Sequence, residues 1–386
     1  MKIGIMTFWW DPDSYGQVLQ CFALQRYLII NGHEPFLIRY RPQHGRKNNT
    51  SPIPRLHPRR ILRSVKGAYF SYKRHKKHKR ILDFNSKNPR YFDEFFNKRI
   101  IFTDDVFDDY TSLELNAPHA DAYITGSDQV WNIGAFDENS SPWFLEFCCN
   151  DSKKIAYAAS FGRSSLSDCE TNEIRPYLSG FNHIGVREDD GVLICQKAGR
   201  SNCQHVLDPT FLLTSDDYHE IFDIGGDSSK TYDSSIFAYV LSGECVPWDE
   251  LKTWASRMNL EILPIPAHGS NLAMPFSEFF TPSIDEWIVA LAQSRYSVVT
   301  SFHGMVFSII FEKKFLVCVP EKWDRGSRIT SLLGELGLTD RIYSPDSGSF
   351  SEQIEAPIDW VGVRGILDQE IEMSTSFLAD ALDYDS

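Results

Sequence analysis

A chain of 386 residues exceeds what one hydrophobic core usually supports, so two domains of roughly 150 to 200 residues each are expected. With 42% hydrophobic and 24% charged residues the composition is that of a folded globular protein and argues against bulk disorder. The net charge of −13 argues against general nucleic-acid binding, which needs a basic face over the whole site.

The opening MKIGIMTFWWDPDSYG lacks a secretory pattern, and no stretch reaches the ~20 apolar residues of a membrane span. A cytoplasmic location is therefore expected. Residues 2–8 read as a short buried strand. The next stretch, YGQVLQCFALQRYLIINGH, reads as an amphipathic helix, with Val18, Leu19, Phe22, Ala23, Tyr27 and Leu28 at helical spacing and Gly32 as its C-terminal stop. PFLIRYRP is a second strand, so the chain opens as a βαβ unit of a parallel sheet.

Residues 55–80 carry eleven Lys or Arg and no Asp or Glu, which leaves −13 − 11 = −24 for everything else. The segment reads as a basic amphipathic helix. It is either a solvated arm or a contact for an anionic membrane surface, which would place the protein peripherally at the inner face of a membrane. The sheet resumes at DAYITGSDQVWN, KKIAYAASFG and HIGVREDDGVLICQKAG, each a strand that ends in a polar turn. HVLDPTFLL, residues 205–213, reads as the exit from the first domain, because the Pro after Asp208 suits a linker.

A second alternating set follows: SIFAYVL, a helix at 247–259, LEILPIP, a helix at 283–294, YSVVTS, a helix after His303, and FLVCVP. The expected architecture is α/β, two Rossmann-like domains facing across a cleft. Residues 1–204 form the acceptor side with the 55–80 insertion, 205–360 the donor side, and 361–386 a helix returning to the first domain. The eight cysteines lack CxxC pairs and read as reduced, buried small residues.

In an open parallel sheet, ligands bind beyond the carboxyl ends of the strands. TSFHGMVF places Ser301, His303 and the amides of Gly304 and Met305 at a helix N-terminus, which attracts phosphate or carboxylate. His303 there is either a hydrogen-bond donor to an anion and general acid, or a core histidine beside a capping serine. Arg187, in GVREDDG, either grips a carboxylate or phosphate with two parallel bonds or is held by Glu188 or Asp189. Lys322, Arg325 and Arg328 either complete an anion pocket around His303 or decorate a solvated loop. Ser127, Asp128, Gln129 and Trp131 combine carboxylate, amide and an aromatic plane, as sugar recognition does; the alternative is a helix cap. Asp13, Tyr15 and Gly16 add a turn over a helix N-terminus in the same domain. SFGRS, residues 160–164, reads as a scaffold turn.

The ordered set SYGQVLQCFALQ, YITGSDQVWN, YAASFG, GVREDDGV, LDPTFLL and TSFHGMVFSIIF resembles the polysaccharide pyruvyl transferase family over residues 3 to 340. The resemblance implies a fold like that of B-type glycosyltransferases and transfer of the enolpyruvyl group of phosphoenolpyruvate to a sugar. It implies that Arg187 and His303 meet the donor's anionic groups and that the loops with Tyr15 and Asp128 face the acceptor. Ser14 stands where many relatives have Asn. The donor's phosphate and carboxylate account for clustered cations in an acidic body. On this reading His303 assists phosphate departure, Asp128 takes a sugar hydroxyl proton, and the acceptor is a lipid-diphosphate-linked sugar. Neither a metal nor a cofactor is needed, and no ligand spacing is visible in the sequence. The alternatives are a nucleotide-sugar glycosyltransferase on the same fold and a non-catalytic glycan-binding protein.

Overall fold

The structure is a computed structural model that describes residues 1–10, 14–42, 84–132, 141–148, 151–226, 230–241, 243–267, 274–320 and 327–383. The basic segment 55–80 lies outside them, as do Asp13, Lys322 and Arg325.

Two parallel sheets organise the chain. The first contains β1 (Lys2–Met6), β2 (Glu34–Tyr40), β3 (Phe102–Phe107), β4 (Ala122–Thr125), β5 (Lys153–Ala159), β6 (His183–Val186) and β7 (Cys203–His205). Their spatial order is β3-β2-β1-β4-β5-β6-β7. The second contains β8 (Ser235–Val240), β9 (Glu261–Pro266), β10 (Tyr296–Val299) and β11 (Lys314–Val317), in the order β11-β10-β8-β9. All pairings within both sheets are parallel. Strands covered on both faces read as unbroken apolar runs, as β8 does: every residue of SIFAYV is buried. The α/β, two-sheet Rossmann-like class expected from the sequence is thus observed.

Six helices position the site: α1 (Tyr15–Ile30), α2 (Asp189–Lys197), α3 (Ile284–Gln293), α4 (Phe302–Ile310), α5 (Ser327–Glu335) and α6 (Trp360–Leu382). Helix α1 is not amphipathic as its spacing suggests. Eleven of its residues are buried, because it is clamped between the first sheet and the second unit. Its polar residues are satisfied inside: Gln20 Nε2 donates to Thr7 Oγ1 at 3.0 Å, and Gln25 Nε2 donates to Ile101 O at 2.9 Å. Tyr15, at the first turn, stacks on Trp287 of α3 at 5.4 Å and donates its hydroxyl to Pro282 O at 2.6 Å. One apolar core therefore runs from Ile3, Ile5 and Leu19 through Phe211 to Trp287 and Phe307.

Helix α6 crosses back over the first sheet. Arg364 near its start pairs with Glu312 just beyond α4 at 3.3 Å. Further along, Ser374 Oγ accepts from Leu207 N at 2.9 Å, and Phe377 packs near Tyr157. Cys21, Cys148, Cys195, Cys203 and Cys318 are buried, as expected, whereas Cys169 is exposed and Cys245 half-buried; Cys149 lies outside the described residues. Among the described residues no helix is long and apolar enough to cross a membrane.

Candidate active site

The loops that leave β4, β6, β7 and β10 meet at the seam between the two sheets. After β4 the chain turns at Gly126 (φ +110°), where a β-carbon would fall 2.2 Å from Tyr157 O, so only glycine fits. The turn delivers Ser127 and Asp128, and Asp128 (φ +70°) bridges to Ala159 at the end of β5. Arg187 follows β6, Asp208 follows β7, and His303 lies in the first turn of α4 after β10.

Asp208 is the hub. Its Oδ2 accepts from Ser127 Oγ at 2.8 Å and from Arg187 Nη1 at 3.0 Å. The same oxygen stands 3.4 Å from His303 Nε2, at ion-pair distance but outside hydrogen-bond geometry. Its Oδ1 accepts from the Thr210 amide at 3.1 Å and hydroxyl at 2.8 Å. The residue is 1% exposed. Burial opposes its ionisation, but His303, then Arg187 and Thr210, outweigh that and hold the carboxyl well below the usual carboxylate range.

Arg187 is enclosed by three carboxylates. Nε donates to Glu188 Oε1 at 3.1 Å, Nη1 reaches Asp208, and Nη2 stands 3.8 Å from Asp128 Oδ1. Its guanidinium carbon lies 4.7 Å from the centre of the Phe302 ring. Burial works against its charge; Glu188, Asp208 and Asp128 overcome this and raise its pKa above the ordinary arginine value. Nη2 nevertheless has no hydrogen-bond partner among the described residues, and the same is true of His303 Nε2. Two buried nitrogens beside one carboxylate thus make no hydrogen bond among the described residues.

Arg328 of α5 approaches from the second unit. Its Nη1 is 3.9 Å from Asp128 Oδ1, its guanidinium carbon is 5.7 Å from the Phe302 ring centre, and Gln129, with its amide oxygen turned inward, accepts from it at 2.9 Å. Phe302 is therefore flanked by two guanidinium groups.

Several residues expected to face a ligand are placed otherwise. Ser301 Oγ accepts from the Gly304 amide at 2.9 Å and Ser301 O accepts from the Met305 amide at 3.1 Å, so these N–H groups are engaged within α4. Trp131 is buried and stacks on Phe144 at 5.2 Å inside the first unit, rather than presenting a ring to solvent. Tyr15 bridges the two units, Gly16 packs under His303, and Ser127 is fully buried against Asp208. His303 itself keeps only 11% side-chain exposure, at the seam. Asp128, Gln129, Arg187, Arg328 and His303 are brought together. Asp208, Thr210 and Phe302 were not legible as site residues; an Asp followed by Pro and Thr, a turn-capping pattern, is the signal that marks the first two.

Beside this cluster, Asp189, His205 and Glu335 place metal-ligating atoms within 4.8 Å of one another, a grouping assembled by the fold and invisible in sequence spacing. His205 Nε2 lies 3.1 Å from Arg187 O, and its Nδ1 lies 3.7 Å from Glu370 Oε2. Burial, with Asp189 and Glu370 acting against the pull of His205, pushes the Glu335 carboxyl up to about 7.

A buried ionic cluster shared by the strand ends of two parallel sheets gives this two-unit α/β protein a candidate site at the junction. A family model described as polysaccharide pyruvyl transferase matches residues 15–321, and the chain belongs to that transferase family. Comparison with curated proteins gave no match. Among solved structures, an alpha-glucosyltransferase in complex with UDP and a 13-mer DNA containing a HMU base is similar at a TM-score of 0.46 and 10% identity, covering 100% of this chain and 96% of that one. A UDP-N-acetylglucosamine 2-epimerase from Rickettsia bellii is similar at 0.43 and 9%, covering 98% and 96%. The spinosyn rhamnosyltransferase SpnG is similar at 0.37 and 11%, covering 99% of each chain. At these scores the likenesses carry no functional argument.

Proposed function

We propose that the protein transfers the enolpyruvyl carbons of phosphoenolpyruvate to two hydroxyls of one sugar, forming a cyclic ketal on a lipid-diphosphate-linked precursor of a surface polysaccharide. The observation that carries this reading is the pair of buried nitrogens without a hydrogen bond, Arg187 Nη2 and His303 Nε2, beside one carboxylate. Phosphoenolpyruvate brings a carboxylate and a phosphate, and a guanidinium and an imidazole are the groups that answer them.

The chemistry balances without an oxidant. A proton adds to the donor's methylene carbon, leaving cationic character at C2. One sugar hydroxyl attacks C2 and releases its proton; the C2–O bond to phosphate breaks, with the electron pair leaving on phosphate. The second hydroxyl then closes the ring and releases its proton. Of the two hydroxyl protons, one balances the methylene protonation and the other leaves with phosphate. Arg187 holds the donor's anionic end, His303 stabilises or protonates the departing phosphate, and Arg328 contributes a second guanidinium across Phe302. Asp128, between the two arginines, is the base offered to a sugar hydroxyl. Residues 55–80 bring the chain to an anionic membrane surface where such a precursor resides.

The test is incubation with phosphoenolpyruvate and a panel of lipid-linked sugars. Phosphate release that requires a sugar, in step with pyruvyl gain on that sugar, is expected. Binding of a nucleoside diphosphate with none of phosphoenolpyruvate would overturn the reading.

A further inference from the structure

Asp208 asks more of one oxygen than a structural cap requires. Its Oδ1 alone caps the turn at Thr210. Its Oδ2 accepts from Ser127 and Arg187 and stands 3.4 Å from His303 Nε2. These groups come from β4, β6 and α4, so a single carboxylate oxygen ties both sheets' strand ends together. We propose that Asp208 is the positioning residue of this site, holding the His303 ring and Arg187 in register as a stand-in for the anion that arrives with substrate.

The surroundings of the ring support this assignment. From α1 the ring meets Gly16, a residue without charge or dipolar side chain. From the strand ends it meets Asp208, with Arg187 on the far side of the same oxygen and Glu188 and Asp128 behind that guanidinium. Within its own helix it meets Phe302, with Arg328 beyond. Tyr157 and Tyr218 also lie within the field of Asp208, and burial first, then that carboxylate, keeps both phenols neutral. The carboxylate nearest the ring is therefore Asp208, 3.4 Å from Nε2. An incoming phosphate that takes over Arg187 and His303 meets groups already in place, so the site needs no reorganisation.

The role of the ring in turnover rests on the reading above, but its position does not. The first measurement therefore uses the unliganded full chain: the His303 ring signals by NMR, assigned with His303→Asn. In folded Asp208→Asn those signals are expected to broaden as the ring leaves its single orientation. Unchanged line widths overturn the inference, whatever the enzyme turns over. Should Asp208→Asn not fold, Ser127→Ala serves instead. It strips a hydrogen bond from Oδ2, so the same broadening is expected, and unchanged line widths there overturn the inference equally. In kinetics, Asp208→Asn should lower kcat about tenfold or more, and Asp208→Glu, which restores the carboxylate, should recover part of that loss. Full kcat in a folded Asp208→Asn protein would assign Asp208 to the scaffold alone.

Discussion

Gly16 lies directly beneath the imidazole of His303: a β-carbon added there would stand 2.1 Å from Nδ1 and 2.5 Å from Cγ. No rotation of the ring about its own axis relieves both contacts, so the first turn of α1 has to stay bare for the histidine to keep its place. Gly16→Ala should displace the ring and cost roughly 1–3 kcal/mol of stability by overpacking. Turnover is expected to drop by more than tenfold in a variant that still melts cooperatively. Normal turnover would separate the ring's position from activity.

Arg187→Ala should destabilise as well as inactivate. The guanidinium neutralises Glu188 and Asp208 in a buried setting, and removing one partner of a buried ion pair costs about 3–5 kcal/mol. Arg187→Lys keeps the charge but not the planar fork, so it should recover most of the stability and little of the rate. Urea unfolding beside initial-rate assays checks both halves.

Tyr15→Phe keeps the stack on Trp287 and loses the hydrogen bond to Pro282 O, leaving a buried carbonyl unpaired at about 1–3 kcal/mol. Because the hydroxyl is spent on the other unit, the KM for the sugar should stay at the wild-type value. A raised sugar KM in a well-folded variant would return Tyr15 to the acceptor side.

Trp131→Ala should behave as a core truncation, with a loss of about 3–5 kcal/mol. Trp131→Phe retains an aromatic against Phe144 and should bind acceptor normally. Acceptor binding that fails in a stable Trp131→Phe protein would contradict the buried placement.

Glu335 gives a pH signature. Its ordinary value is 4.5 and burial raises it to about 7, so the folded chain holds this proton more tightly than the unfolded chain. The associated stability is complete below about 4.5 and is lost as the pH climbs through about 7. Glu335→Gln removes that loss, so its melting temperature relative to wild type should be higher at pH 8 than at pH 5. A difference that is flat with pH would show that the carboxyl is not protonated in the fold.

The strands were readable because buried parallel strands are apolar runs, as β1 and β8 show. β3 was not: Asp104 and Asp105 break its pattern, since it lies at the sheet edge with both exposed. The burial of α1 was also hidden, because its glutamines resemble a solvent face until their partners across the chain are known. Arg187 and His303 stood out as unusual side chains at strand ends, where ligands gather. Asp208 resembled a linker residue before proline; only the fold shows Ser127, Arg187 and His303 converging on it. Trp131 misled for the opposite reason, since an aromatic beside polar residues on a loop resembles a sugar platform even when the loop tucks it into the core.

The most direct test of the account is to supply phosphoenolpyruvate isotopically labelled at C2 and follow that carbon by NMR in the sugar product. A quaternary ketal carbon bonded to two sugar oxygens, formed with one phosphate released per ketal and absent with His303→Ala, is the predicted result. Label that stays in phosphoenolpyruvate or ends in free pyruvate, while the sugar is unchanged across the acceptor panel, would contradict it.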